Sequence, residues 1–165
     1  MKSYIPILAR ADTGPPLLLG DALMSATAFV GTWTLISCEI RHEDGTVSYP
    51  YGRDAQGQII YSADGYMSAI LSGASRPHFD KNDIRGGTDG EKVAAVDTYL
   101  SYAGRYEVRD DRVIHHVVYS LFPNWVGSSQ ERFFELHEGA LSLRTPPLRV
   151  QGKQVTVYLI WKRAE

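Results

Sequence analysis

The chain has 165 residues, of which 44% are hydrophobic and 22% are charged, with 17 basic and 19 acidic side chains. This length suits one globular domain with a sizeable core, and the composition excludes bulk disorder and collagen-like repeats. The formal net charge of -2, without any Lys/Arg cluster, argues against nucleic acid as a partner.

The N-terminal segment, residues 1–28, shows no sustained periodicity. We interpret it as a tail, poorly ordered, that precedes a single domain over residues 29–165. Its apolar run ends at Arg10, which is too early for a signal-peptide core, and no stretch of the chain reaches the roughly 18 apolar residues that a membrane helix needs. The single cysteine, Cys38, cannot form an internal disulfide. These features favour a cytoplasmic protein without a membrane partner.

From Phe29 onward, short segments rich in Val, Ile, Thr and aromatic residues alternate with turn signals such as Asp44-Gly45 and Asp64-Gly65. They predict antiparallel strands at residues 31–41, 58–62, 66–71, 105–109, 113–120, 131–137, 141–144 and 154–163. We therefore predict an all-β fold, an antiparallel eight-stranded barrel, because closure removes exposed sheet edges. A β-sandwich is the alternative.

One segment breaks the pattern of strands and predicts a short helix over about residues 89–103. Thr88 and Glu91 have the spacing of a capping box, and apolar residues then recur at helical spacing until Gly104. A lone helix between strands would lie at a barrel mouth, either as a lid or as a passive cover.

Alternation along the strands predicts which side chains point into the barrel. A two-residue turn at residues 110–111 pairs residue 106 with residue 115, which places Tyr106, His115 and Tyr119 inside. Glu39 shares the inner face with Trp33 unless a β-bulge shifts the register of the first strand. The other residues expected inside are Arg132, Phe134, Leu136, Val155, Val157, Leu159 and Trp161.

An interior that mixes apolar walls with a few polar groups is typical of a small-molecule pocket. The candidate ligand-binding residues are Asn124, Trp125, Arg132, Phe134, Val157 and Leu159. In the alternative interpretation these side chains fill a closed core, and the polar ones satisfy one another. Tyr61, Tyr66, Tyr99 and Tyr102 are assigned to the structure by default, although they would also suit a pocket wall.

Four residues are candidates for catalysis without a cofactor. His115 would act as acid or base, Tyr106 and Tyr119 would donate hydrogen bonds to a developing oxyanion, and Glu39 would remove an acidic α-proton. The alternatives are a buried His115 bonded to Tyr106 and a solvent-exposed Glu39.

The sequence implies neither a metal nor a cofactor. His115 and His116 are neighbours on a strand, so their side chains point to opposite faces and cannot share a metal ion. The segment from Asp80 to Glu91 has partial calcium-loop spacing, but Arg85 replaces the required glycine. No phosphate-binding loop or dinucleotide fingerprint is present.

Several motifs, taken in order, resemble those of the lipocalin-like domain family of bacterial and fungal proteins. They are Gly31-Thr32-Trp33, Tyr49-Pro50-Tyr51-Gly52, residues 60–68 and 102–106, His115-His116, residues 120–127, Gln130-Glu131-Arg132 and residues 159–163. The resemblance covers about residues 29–163. It implies a barrel with an internal cavity, in which Trp33 closes the base and packs on Arg132 or Arg163.

The resemblance also implies a function, since some members of this family lie among genes for natural-product biosynthesis. We expect the barrel to bind a hydrophobic oxygenated small molecule. The catalytic hypothesis is that this molecule is a natural-product intermediate, which the barrel cyclises or isomerises without a cofactor. The alternatives are a noncatalytic ligand carrier and a partner-binding module that uses residues 1–28 or the loop around Gly86. Either a monomer or a homodimer is compatible with the sequence.

Overall fold

A computed structural model describes residues 27–165, so the predicted tail, except for its last two residues, lies outside the described residues. In chain order the elements are β1 (Gly31–His42), β2 (Val47–Ser48), β3 (Gln56–Tyr61), β4 (Tyr66–Ser72), α1 (Asp89–Asp97), β5 (Tyr99–Arg109), β6 (Arg112–Ser120), a 3-10 turn (Pro123–Trp125), β7 (Ser129–His137), β8 (Ala140–Arg144), β9 (Leu148–Val150) and β10 (Lys153–Arg163).

Eight strands form a closed antiparallel barrel in the order β1-β3-β4-β5-β6-β7-β8-β10, and β10 pairs back onto β1. The short strands β2 and β9 pair with β1 and β10 at the rim. The predicted barrel is therefore confirmed. The hairpin register is confirmed as well, because Tyr106 pairs with His115 and Val108 with Val113.

The helix α1 begins where the capping box predicted it. The Thr88 side chain accepts from the Glu91 amide, and the Glu91 carboxylate accepts from the Thr88 amide at 2.6 Å. The predicted extension to residue 103 is wrong, because the chain enters β5 at Tyr99 and pairs with β4, with Leu100 opposite Leu71. No residue of α1 is buried, so the helix does not fill the barrel.

Trp33 closes one end of the barrel together with an arginine from the last strand. The guanidinium carbon of Arg163 lies 4.2 Å from the centre of the Trp33 ring. Its two terminal nitrogens donate to the carbonyl oxygens of Val30 (2.8 Å) and Ala28 (2.7 Å). Of the two arginines that the resemblance offered as partners of Trp33, Arg163 is the one that packs on it. Arg132 does not have this role.

The core occupies the lumen, where side chains of the inner faces meet. Val155, Leu159 and Trp161 of β10 are buried and Val157 packs against them, as the alternation predicted. The largest fully buried side chains of the described chain are Trp33, Trp161, Tyr61, Phe29, Ile59, Leu141, Leu143 and His115.

A β-bulge in β1 reverses the predicted orientation of Glu39. Leu35 pairs with Trp161 and Ser37 with Ile160, so Ile36 is the extra residue. Beyond this bulge Cys38 points inward and is 2% exposed, while Glu39 turns outward. The inward assignment of Glu39 is therefore wrong.

A second bulge, in β6, reverses Tyr119. Gly104 pairs with Val117 but Ala103 pairs with Tyr119, which leaves Val118 as the extra residue. Val117 is buried, whereas Tyr119 is 72% exposed. The inward assignment of Tyr119 is wrong, because the strict alternation on which it rested ends at the bulge.

The second bulge requires glycine at position 104, since a Cβ there would lie 1.9 Å from the His116 carbonyl oxygen. We expect Gly104→Ala to lower the free energy of unfolding by about 3 kcal/mol, because the two strands must separate. Urea denaturation measures this change. Gly90→Ala, within α1, is the control and should leave stability unchanged or raise it by up to ~1 kcal/mol. Equal midpoints for the two variants would contradict the steric argument.

Candidate functional site

Within the described chain, the buried polar or charged side chains are His115, Arg132 and Thr145. The Thr145 hydroxyl has a structural partner, since it accepts from the Val157 amide at 3.0 Å. His115 and Arg132, on adjacent strands β6 and β7, are therefore the polar groups with chemistry to offer inside the barrel.

His115 lies between two tyrosines from other strands. Its Nε2 is 2.9 Å from the hydroxyl oxygen of Tyr61 in β3, and its Nδ1 is 3.0 Å from that of Tyr102 in β5. His115 is 0% exposed, and both tyrosines are also buried. We call these three residues the Tyr–His–Tyr bridge. The barrel brings them together although Tyr61 is 54 residues from His115 along the chain.

Burial keeps the bridge uncharged. Loss of solvation lowers the pKa of His115 well below its ordinary value, and the positive charge of Arg132 adds to this effect. Burial also raises the pKa values of Tyr61 and Tyr102, which Arg132 partly opposes. At neutral pH the bridge therefore consists of a neutral imidazole and two neutral phenols.

Arg132 carries a positive charge in this interior and is 8% exposed. It lies opposite Val113 of β6, and its Nη1 donates to the Glu131 carbonyl oxygen at 2.7 Å. Among residues 27–165, no carboxylate forms an ion pair with Arg132 and no aromatic ring stacks on it. The guanidinium charge is thus uncompensated inside the described barrel.

Tyr106 is near the bridge but is not part of it. Its ring centre is 4.8 Å from that of Tyr61, and its hydroxyl donates to the Ser62 carbonyl oxygen at 3.0 Å. Tyr106 is therefore the cross-strand neighbour of His115, as predicted, while Tyr61 and Tyr102 are the hydrogen-bond partners.

From the sequence, both bridge tyrosines were assigned to structure by default, with the pocket wall as the alternative. Tyr61 follows Ile59 at strand spacing, and that alternation was a usable signal for an inward side chain. Tyr102 had no such signal, because its segment was interpreted as helix.

The loop between β6 and β7 covers Tyr102. The ring of Trp125 packs edge-on against it, with ring centres 5.4 Å apart. The neighbouring Asn124 is exposed, and so is Phe122, whose ring centre lies 6.0 Å from that of Trp125. Trp125 thus lies between the bridge and solvent, whereas Asn124 lies on the outer side of the loop.

The predicted apolar wall lies where alternation placed it. Leu159 is buried, Val157 packs against the core, and the Phe134 ring centre is 4.8 Å from that of Phe29. Their role in ligand binding stays a prediction.

Two of the four predicted catalytic residues are outside the lumen. The Glu39 carboxylate accepts from the Nε of Arg41 at 2.8 Å on the outer surface, and Tyr119 is exposed there. Neither side chain lies on the same face of the barrel wall as His115.

One further buried group has an unused bonding position. The indole Nε1 of Trp161 is buried and has no acceptor in the described chain. A buried donor without an acceptor costs about 1–3 kcal/mol. An acceptor oxygen that enters the lumen near this ring would remove that cost.

A groove of about 560 Å³ is lined mostly by outward side chains, among them Arg41, Phe133, Arg144 and Tyr158, and also by Phe134. Tyr61, Tyr102 and His115 do not line it, so the groove is separate from the bridge.

In the part of the chain that the structure describes, no group of three His, Cys, Asp or Glu side chains is placed to hold a metal ion. No helix there is long and apolar enough to cross a membrane.

Comparison with known proteins places the chain in a family. The model of the lipocalin-like domain family matches residues 30–164. A protein of Aspergillus oryzae (strain ATCC 42149 / RIB 40), named 4'-hydroxy-3'-methoxypropiophenone carrier protein, is 35% identical over 106 residues, which cover 59% of this chain and 96% of that protein. No solved structure matches the chain. The closed barrel and the family match over nearly all of the described residues together show that this chain belongs to the lipocalin-like domain family.

Proposed function

We propose that this protein is a carrier that holds an oxygenated aromatic small molecule in its barrel, with an oxygen of the ligand at the Tyr–His–Tyr bridge. The observation that carries the proposal is the bridge itself, a buried imidazole hydrogen-bonded on both sides. Its bonding pattern leaves one hydroxyl hydrogen unused.

The unused hydrogen follows from counting donors. A neutral imidazole has one N–H donor and one acceptor nitrogen, and each phenol has one O–H donor. The bridge therefore holds three donor hydrogens but only two hydrogen bonds. Whichever tautomer His115 adopts, either Tyr61 or Tyr102 keeps an O–H that points elsewhere. We call this O–H the spare hydroxyl.

Among the described residues, the lumen offers donors and no ionised acceptor. The spare hydroxyl, the guanidinium of Arg132 and the indole N–H of Trp161 all donate. A suitable ligand therefore presents acceptor oxygens, such as those of a ketone, a phenol or a methoxy group, on an apolar skeleton. Aromatic neighbours such as Phe134 and Trp125 suit a flat ring.

The similar protein of Aspergillus oryzae supports this class of ligand, because it is named as the carrier of an aryl ketone with a hydroxyl and a methoxy group. Such a molecule combines one aromatic ring with three acceptor oxygens. We extend this class of ligand, and a place in a natural-product pathway, to the present chain. The cytoplasmic location, the absence of a nucleic-acid or membrane partner, and the monomeric or homodimeric state stay predictions from the sequence.

Binding to the spare hydroxyl predicts that loss of the bridge phenols weakens affinity. We expect 4'-hydroxy-3'-methoxypropiophenone to bind one-to-one in calorimetric titration, and Tyr61→Phe and Tyr102→Phe each to raise Kd about tenfold through loss of a buried hydrogen bond. Tyr119→Phe is the matched control, since it removes an exposed hydroxyl and should leave Kd unchanged. Equal Kd values for all three variants would exclude the bridge as the binding site.

Catalysis is the finer hypothesis, in which the bound ketone isomerises or cyclises. With Glu39 and Tyr119 outside the lumen, His115 would have to move the proton itself. Enolisation of an aryl ketone in D2O replaces its α-hydrogens with deuterium, and mass spectrometry detects this exchange. A carrier leaves the exchange rate at its protein-free value. Acceleration in the native protein that is lost in His115→Gln would establish catalysis instead.

The neutral state of His115 has a consequence for stability. Because its pKa in the folded protein lies below that in the unfolded chain, the unfolded chain binds more protons as pH falls. The neutral imidazole therefore contributes to the free energy of unfolding above about pH 6.5, the ordinary pKa of histidine. As pH falls below this value, the free energy of unfolding declines by up to ~1.4 kcal/mol per pH unit, until pH reaches the pKa of His115 in the folded protein.

We expect His115→Gln to remove this decline, which denaturant unfolding at a series of pH values below neutrality measures. His137→Gln, which removes an exposed imidazole, is the control and should retain the decline. Parallel stability curves for the native protein and His115→Gln would show that His115 is not held neutral in the fold.

A further inference from the structure

Arg132 is a buried cation without a counter-ion in the described barrel. Arg132 is 8% exposed, its Nη1 donates to the carbonyl oxygen of Glu131, and its side chain is also hydrogen-bonded to the hydroxyl of Tyr102, so both partners are neutral. Burial of an unpaired charge costs several kcal/mol, and buried charges in proteins are therefore normally paired. An anion bound beside Arg132 would compensate this charge.

The protein groups that face Arg132 do not supply that charge. Tyr61 from β3, Tyr102 from β5 and His115 from β6 are the titratable groups in electrostatic contact with it. Burial keeps both phenols protonated and the imidazole neutral. None of the three therefore provides an anion at neutral pH.

The remaining charged groups on the neighbouring strands point outward. On β7 and β6, Glu131 pairs with Arg112 at 3.1 Å on the outer surface. On β8, Arg144 lies over the outer ring of Phe133, 4.2 Å from its centre. Among residues 27–165, no side chain therefore supplies a counter-ion for Arg132, and a bound anion is the group that would do so.

We propose that the barrel binds its aryl ketone as a phenolate, whose ionised oxygen takes hydrogen bonds from Arg132 and from the spare hydroxyl of the bridge. This inference rests on the proposed carrier function and names the ionisation state of its ligand. The phenol O–H bond breaks on binding, its electron pair stays on the oxygen, and the proton leaves to the solvent. No redox partner is needed.

Para-acyl phenols suit this arrangement, because the phenolate that they form shares its negative charge between the phenol oxygen and the ketone oxygen. The donor-rich lumen offers bonding positions for both oxygens, whereas a carboxylate in the wall would repel them. Charge-assisted hydrogen bonds are about twice as strong as neutral ones, which favours the ionised ligand.

The probe is 4'-hydroxy-3'-methoxypropiophenone, and its control is the 3',4'-dimethoxy analogue, which cannot ionise. If the phenolate binds preferentially, the pKa of the bound phenol lies below that of the free phenol. We expect Kd of the phenol to fall as pH rises between these two pKa values and to stay constant at higher pH. The phenolate absorption band should be visible in the complex below the free ligand's pKa. The dimethoxy analogue should bind with a Kd that does not change over the same range.

Variants at position 132 separate charge from shape. Arg132→Met should weaken phenolate binding about 10- to 100-fold and remove the bound phenolate band, whereas it should weaken binding of the dimethoxy analogue by a smaller factor, because that ligand loses a hydrogen bond without a charge. Arg132→Lys keeps a cation and should restore part of the band. Arg144→Met, which removes an outward arginine on the adjacent strand, should leave phenolate binding unchanged. Should the Met variant not fold, the native spectrum and Arg132→Lys decide the question.

The outcomes distinguish this inference from the function on which it rests. A native protein that binds both compounds with no pH dependence and no phenolate band would overturn phenolate binding while upholding the carrier function. A native protein that binds neither compound would overturn the carrier function for aryl ketones, and the inference with it.

Discussion

Closure of the sheet between β1 and β10 is the constraint on which every luminal contact depends. It curves the sheet until β3, β5 and β6 bring Tyr61, Tyr102 and His115 within hydrogen-bond distance of one another. The stack of Arg163 on Trp33 ties the ends of β1 and β10 together at the base. The site is therefore a property of the closed barrel, since no short segment of the chain contains it.

Low polarity inside the barrel determines the chemistry that this site can perform. It keeps the bridge neutral, which suits hydrogen bonding to an oxygen, and it makes the lone charge of Arg132 unfavourable without an anion. The two effects act in the same direction. Each favours a ligand that brings acceptor oxygens, and Arg132 adds a preference for one that brings a negative charge.

Membership of the lipocalin-like domain family fixes the architecture, whereas the ligand is a matter of the luminal side chains. The outward positions of Glu39 and Tyr119 leave His115 and Tyr106, of the four candidates for proton transfer, on the luminal side of the barrel wall. Trp125, in the loop between β6 and β7, packs on Tyr102 from the side of the solvent.

Alternation and turn signals were enough to predict the barrel, the register of the β5–β6 hairpin and the inward positions of Arg132 and His115, because these depend on local period and on turns between adjacent strands. Glu39 and Tyr119 were misassigned, since each follows a bulge that leaves no mark in local periodicity. The predicted helix included Tyr102 because the apolar spacing there also fits a helix. In the structure this segment is a strand, because it pairs with β4. The sequence by itself thus determined the fold and the luminal positions of Arg132 and His115. Only the tertiary structure decided which polar groups meet, because the bridge brings Tyr61 of β3 to His115, 54 residues away along the chain, and because two bulges change which side chains face the lumen.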